Sequence, residues 1–513
     1  MAVRLEYRPE GVVGEDAYLA GIAERVEGVL NEVTREPCRE LRLGRRETRE
    51  LAVALAEFGE DLHFNAGMWR AYEEHNVRCF GEALPLTGAS GQEGITAERV
   101  RHFLWVLYSQ FVDVSLPPRD PGVAWMGASV ARALREGFDS APRESGVKRF
   151  LEKPMRYGWD VKQKLLWLGL GSYLFRFFYS AFMAENREHA RKDPIMLTDD
   201  FLCEECTEWS GMGPTEVLAG ALKLSGRDRQ DLLKWNQRHL GPYRVGARGR
   251  DSIRVRNLFS NASYKVRMGE EKSSFPEGIV VFGALVPWRE EWYWSGTQTV
   301  LRDATPEEIE DLYEDMMSRM PAVVYRLSAK QEARAREVAR QQYEDVVARL
   351  GRPLGVFENG AEFKAGYEEL MRAPYLALPE EERRRPQEEF GLGKEGPVAE
   401  LPRELVSSKH RIAVFFDPVE EMEVLDEFEV LESGMRNEAR PLPPHEAEFL
   451  RWIVEDPAMN PAFVRYMASR HGGESIKSVF ALEGCQEEYW LEYLLRRYKG
   501  KFFRKRFPHV SVM

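Results

Sequence analysis

Residues 278–296 read GIVVFGALVPWREEWYWSG, and this stretch decides the fold class. Ile279 to Val286 is a continuous apolar run, Pro287-Trp288-Arg289-Glu290 carries turn residues, and Trp292-Tyr293-Trp294 returns as a second strand ending at Ser295-Gly296. Just upstream, YRVGARGRDSIRVRNLF (243–259) is also rich in β-branched residues, with Arg254 and Arg256 alternating with Ile253 and Val255. Together these segments predict a small β module that starts near Gly241.

The residues before it have a different period. Leu51, Leu55, Phe58 and Leu62 form a helical stripe, as do Val100, Phe103, Leu104 and Leu107 behind Thr96-Ala97-Glu98. Val217, Leu218, Ala221 and Leu222 form another, and the Gly- and Pro-rich segments 88–94 and 115–122 break the pattern between stripes. After the β module, Thr305-Pro306-Glu307-Glu308 is a capping box with a proline at the first helical position. A second helix should open at Ser328 and stop at Gly351-Arg352-Pro353.

Residues 374–408 are dominated by Pro, Glu and Arg and lack apolar residues to bury. Beyond them HRIAVFF (410–416) reads as a strand, and Met422, Val424, Phe428 and Val430 alternate as a second. Asn460-Pro461 starts a helix that Gly472-Gly473 ends, Ile476 to Leu482 reads as a further strand, and Leu491, Leu494, Leu495 and Tyr498 share one side of a last helix. The expected architecture is multi-domain α+β. It has a mainly helical domain over 1–240, a β module with two capped helices over 241–372, a charged linker over 373–408, and an α+β module over 409–513 ending in a basic tail.

Composition sets the class of function. A chain of 513 residues, 43% hydrophobic and 30% charged, has material for several cores. Its net charge of −12 argues against a general nucleic-acid coat, so any contact with phosphate must be local. Five scattered cysteines do not suggest a disulfide framework. The N-terminus MAVRLEYRPEG lacks a signal-peptide core. The most apolar segment, Leu165 to Phe182, is interrupted by Arg176 and reads as a buried helix. The expectation is a cytoplasmic protein with no membrane partner.

The C-terminal stretch RRYKGKFFRKR (496–506) reverses the sign of the rest, with seven basic and three aromatic residues in eleven positions. Arg496, Arg497, Lys499, Lys501, Arg504, Lys505 and Arg506 could neutralise phosphates while Tyr498, Phe502 and Phe503 stack on bases. The same cations would also complement the dipole at a helix's last turn. Arg244, Arg248, Arg250, Arg254 and Arg256 form a second basic region, for which a solvated sheet face is the simpler account.

Other patterns are weaker. Cys203-Glu-Glu-Cys206 has CxxC spacing but no second ligand pair, and its acidic neighbours would not depress a thiol pKa. Glu60-Asp-Leu-His63 matches ExxH once, where a bridged di-metal site needs it twice. Glu358 and Glu362 with Lys364 resemble the acid pair and lysine of metal-dependent nucleases. The aromatics Trp288, Trp292, Tyr293 and Trp294 fit a β core better than a ligand groove. There is no GxxxxGK[ST], GxSxG or HExxH, which disfavours phosphate-loop NTPases, elbow-type serine hydrolases and zincins. No metal ligand set and no cofactor is assigned.

On PMRYGWDVKQKLLWLGLGSYLFR (154–176), GALVPWREEWYWSG (283–296) and YLLRRYKGKFFRKRFP (493–508), the chain resembles a bacterial family of uncharacterised proteins. The resemblance implies a bacterial cytoplasmic protein and brings no catalytic residues. The functional expectation is a non-catalytic binding or adaptor protein contacting RNA, a ribonucleoprotein or another polyanion through the tail, with Arg254 and Arg256 as second contacts. The alternatives are a metal-dependent phosphodiester hydrolase using Glu358, Glu362 and Lys364, and a scaffold for an acidic protein.

Overall fold

The computed structural model describes residues 6–504 apart from 10–16, 36–37, 89–92, 112–114, 270–274, 303, 320–328, 385–392, 395, 397–400, 420 and 440, and in it the 278–296 stretch is a hairpin within a closed barrel. The barrel strands are β1 (His239–Arg248), β2 (Ser252–Asn257), β3 (Ser263–Arg267), β4 (Val280–Trp288) and β5 (Glu291–Leu301), in the order β1-β2-β3-β5-β4. β1 pairs antiparallel with both β2 and β4, and a parallel bridge from Val266 to Trp292 joins β3 to β5. This order with its parallel β3–β5 closure is that of the five-stranded OB barrel.

The period-2 pattern explains why β1–β3 form half of the wall. Tyr243, Val245, Ile253, Val255, Tyr264 and Val266 point inward and meet Val281 and Leu285 from β4, with Trp292 and Trp294 packed against them. The turn is narrower than the sequence suggests. Pro287 and Trp288 stay in β4, and only Arg289 and Glu290 turn, at φ 47° and 72°. Two residues in the left-handed region match the right-handed twist of the flanking strands. Pro287 is tolerated because the β1 ladder ends at the His239–Leu285 pair, so its missing N–H breaks no β1 bond.

The chain divides into two compact units, Met1–Arg326 with Cys485–Lys501, and Leu327–Gly484 with Phe502–Met513. In the first, helices from Ala17–Val33 to Gly226–Leu233 precede the barrel. The Thr96 hydroxyl accepts the Arg99 amide and starts the Ala97–Tyr108 helix, whose Val100, Phe103, Leu104 and Leu107 are buried as their spacing requires. Phe58, Trp69, Tyr72, Phe103, Tyr173 and Trp209 form one aromatic core. No single helix among the described residues is long and apolar enough to cross a membrane. The 165–182 segment is two helices, Gly158–Gly171 and Arg176–Glu185, bent by 79°. Arg176 is buried and paired with Glu57, which anchors the break.

Arg238, just before β1, binds Asp199 at 2.7 Å and also holds Asp200 and Glu204, all on the Pro194–Glu204 helix. Lys162 reaches Asp199 and, at 3.1 Å, Ser295 of β5. Buried charges this closely paired fix the barrel against the helices. The capping box at Thr305 forms in both directions and opens the Pro306–Arg319 helix. Ser328 lies outside the described residues.

The second unit holds a three-stranded antiparallel sheet of β6 (Leu354–Phe357), β7 (Ile412–Asp417) and β8 (Glu421–Leu425), in the order β6-β7-β8. Phe363, Ile412 and Val414 are at the centre of one core. Two strand readings give way to helices. Phe428 and Val430 belong to the Phe428–Arg436 helix, because Glu427 takes a left-handed turn at φ 54° and Phe428, Leu431 and Met435 then bury on a helical stripe. Ile476 lies in the Glu474–Val479 helix, and Ile476 and Phe480 are buried at i, i+4 spacing. Within 373–408, residues to Ala377 continue the Gly360–Ala377 helix, and Arg403–Ser407 is another.

Candidate nucleic-acid interface

The alternation that buries one face of β1–β3 exposes the other, and that face is cationic. Arg244, Arg254, Arg256 and Lys265 are all exposed. Arg244 lies directly opposite Arg256 across β1–β2, and Arg254 opposite Lys265 across β2–β3. Side chains paired this way have Cβ atoms about 4.5–5.5 Å apart, and like charges so placed repel. Among the described residues, none of the four has a carboxylate partner; the one polar contact is Arg256 Nη2 to Asn261 Oδ1 at 2.9 Å. Arg250 is exposed in the β1–β2 turn. Arg248 is exposed at the end of β1. At the edge of the face, Arg267 is neutralised by Glu291 at 3.0 Å and Asp251 at 3.3 Å.

The outer positions of β2 and β3 are Arg254, Arg256, Ser263, Lys265 and Arg267, none of them a ring, and at the edge of the face the Tyr157 ring lies 5.1 Å from the Arg267 guanidinium. The barrel aromatics Tyr243, Tyr264, Trp292 and Trp294 instead pack with the interior cluster. The outer positions of these strands can neutralise phosphates and themselves offer no ring for stacking bases.

The tail is placed differently from the solvent-facing row its sequence suggests. Arg497 is 7% exposed, with Nε 3.0 Å from Glu208 and Nη2 3.0 Å from Ser109, and its guanidinium lies over the Trp105 ring. Lys499 is fully buried, and Lys501 binds Glu205 at 2.7 Å. Arg496, Tyr498, Phe502, Phe503 and Arg504 are half-buried. Arg465 lies over the Phe503 ring at 5.6 Å. Lys505 and Arg506 lie outside the described residues. The reason is docking by close backbone approach. A Cβ on Gly500 would sit 2.6 Å from Gly211 Cα and 2.7 Å from Cys206 Cβ, so this glycine lets the chain end lie against the 206–212 loop.

The remaining motifs serve the fold. Cys203 is buried and Cys206 faces Gly500. Glu60 takes both Arg8 guanidinium nitrogens at 2.6 and 2.8 Å and the Ser145 hydroxyl at 2.7 Å, while His63 stacks on Phe138. Glu362 accepts the Glu358 amide at 3.4 Å beside the Asn359 cap, Glu358 pairs with Arg411 at 3.7 Å, and Lys364 with Glu368 at 3.9 Å. Glu358, Glu362 and Lys364 therefore mark a helix start. Among the described residues no three His, Cys, Asp or Glu are grouped to hold a metal.

Sequence reasoning singled out Arg254 and Arg256 but missed Lys265. Its signal is the alternation in Ser263-Tyr-Lys-Val-Arg267, legible only once this stretch is read as a strand paired with β2. Residues 7–206 match a family model described as "Protein of unknown function (DUF3843)", in agreement with the resemblance to uncharacterised proteins, and the match ends before the barrel. No curated protein and no solved structure matches the chain.

Proposed function

We propose that this protein is a non-catalytic binding protein of the bacterial cytoplasm that holds a polyanion, RNA or a ribonucleoprotein surface, along the outer face of β1, β2 and β3. One observation carries the reading. Arg244, Arg254, Arg256 and Lys265 stand on adjacent strands, exposed and without carboxylate partners among the described residues, in a chain of net charge −12. Each opposed like-charge pair is destabilising, and a phosphate backbone laid across the strands relieves that repulsion. The acidic remainder repels the same polymer and confines it to this face.

Because the outer positions of β2 and β3 carry cations and no ring, recognition runs through phosphates and tolerates many base sequences. OB barrels bind oligonucleotides on the same strands, which supports the reading by analogy of fold alone. In this account Arg497, Lys499 and Lys501 hold the chain end in place rather than meeting the polymer.

The test is binding of a labelled single-stranded RNA to the full chain and to the double variant Arg254→Ala, Arg256→Ala. Near ~0.1 M salt each lost contact of slope ~0.7 weakens binding roughly fivefold, so the double change should cost roughly 25-fold. Equal affinity in the two proteins rejects the barrel face. Capture of an acidic protein with no RNA bound would favour the scaffold reading. Divalent-dependent cleavage of the probe that Glu362→Gln abolishes would favour the hydrolase.

A further inference from the structure

A second basic site, remote in sequence from the barrel, lies in the helical part of the first unit. It is a cleft of about 1090 Å³ between the first turns of the Arg45–Phe64 helix, the turn after the Ala97–Tyr108 helix at Gln110 and Phe111, and the Arg176–Glu185 helix. This is at the upper end of the volume that holds a small ligand.

Three arginines of the cleft, Arg45, Arg46 and Arg49, stand on the first turns of their helix, where the macrodipole is positive and cations are unfavourable. Two are compensated. Arg46 binds Glu50 at 2.8 Å, and Arg49 takes both Glu27 oxygens at 3.2 and 3.3 Å. Arg45 is exposed, and no carboxylate partner is found for it among the described residues.

Arg176 supplies an independent sign of a ligand. It lines the cleft yet is only 4% exposed. Its Nη1 is taken by Glu57 and the Gly171 carbonyl, while its Nη2 has no hydrogen-bond partner among the described residues and no exposed surface, so a ligand in the cleft meets it by displacing a side chain of the wall. A buried guanidinium nitrogen left unpaired costs free energy that an acceptor in the cleft would recover. The guanidinium lies over the Tyr7 ring at 4.8 Å and over the Phe177 ring at 5.0 Å, and Phe111 packs edge-on against Phe177 at 5.2 Å. A planar donor and an exposed cation on one cleft suit a phosphoryl group, and the rings beside them suit a flat apolar body.

We propose that this cleft binds a small phosphate monoester carrying a planar ring, with its phosphoryl oxygens on Arg176 Nη2 and Arg45 and its ring against Tyr7, Phe111 and Phe177. Glu6, also on the wall, would accept a hydroxyl or amino donor of the ligand. This site does not depend on the polyanion reading of the barrel.

Calorimetric titration of the full chain with adenosine 5′-monophosphate, adenosine and inorganic phosphate tests it. The monophosphate should bind at least roughly tenfold more tightly than adenosine, the equivalent of ~1.4 kcal/mol. Arg45→Ala should remove most of that preference, and Arg254→Ala with Arg256→Ala should leave it unchanged. Arg176→Lys keeps a charge for Glu57 but loses the fork, and should weaken the monophosphate further. The proposal is overturned by no monophosphate binding at millimolar concentration, by equal affinities for monophosphate and nucleoside, or by Arg45→Ala binding like the parent chain. Should Arg176→Lys fail to fold by circular dichroism, the exposed Arg45→Ala change decides.

Discussion

Arg497 lies 289 residues from Glu208 in the chain, yet its Nε is 3.0 Å from that carboxylate and its guanidinium lies over the Trp105 ring. Removing one partner of a largely buried pair leaves the other uncompensated, so Arg497→Ala should cost about 3 kcal/mol in urea unfolding. Arg497→Met together with Glu208→Gln should recover much of that loss. A loss below about 0.5 kcal/mol would mean that the arginine is solvated and available to an outside anion. His102 offers a second test at this scale. Its two ring nitrogens meet the Tyr72 and Thr87 hydroxyls at 2.6 Å each, and burial, reinforced by Arg497 and Arg101, pushes its pKa down to about 3. The unfolded chain takes up this proton near 6.5, so between roughly pH 6 and 3 unfolding is favoured as pH falls. Glu57 and Asp61, raised by burial, act in the opposite sense. The measurement is therefore the difference between the parent chain and His102→Gln. The parent should lose up to about 1.4 kcal/mol more per pH unit below pH ~6, and parallel curves would contradict the account. None of this was legible in the sequence. The tail's charges show which groups need partners, but Glu208 and Thr87 lie in other elements, and only the packed fold brings them near.

The element that carries the tail, the Trp490–Tyr498 helix, docks through close glycine contacts as well as through charge. Gly211 has φ +73°, and a Cβ there would lie 2.6 Å from the Arg496 carbonyl oxygen and 2.8 Å from Gly500 Cα. Gly211→Ala should therefore cost at least ~2 kcal/mol, combining a left-handed residue with a backbone clash, and proteolysis should then release the chain end first. A variant as stable as the parent would show that this contact is loose. Elements were legible where a local signal sufficed: the capping box at Thr305, the Thr96 cap, the Asn460-Pro461 start and the apolar run of β4. They were misread at Phe428-Val430 and Ile476–Leu482, where a short apolar stretch fits either period. At Phe428 a left-handed Glu427, which no propensity favours, settles it as helix.

Across the first unit, the main finding is where positive charge stays unneutralised on an acidic chain. The basic segments at 244–256 and 496–506 look alike as composition, and only the strand pairing separates them. In β1–β3 the period of two puts every second residue outward, so that Arg244 faces Arg256 and Arg254 faces Lys265. In 496–501 the Trp490–Tyr498 helix turns Arg497 inward, and the short Gly500–Phe503 turn after it sets Lys501 onto Glu205. The barrel's closure was equally hidden, because its parallel β3–β5 contact rests on one bridge between Val266 and Trp292. The most direct test of the central claim is the salt dependence of single-stranded RNA binding by the full chain. Against the parent, Arg254→Ala with Arg256→Ala should flatten the log–log slope by about 1.4, two contacts at ~0.7 each, while Arg497→Lys should leave it unchanged. Equal slopes for the parent and the barrel variant would contradict the account.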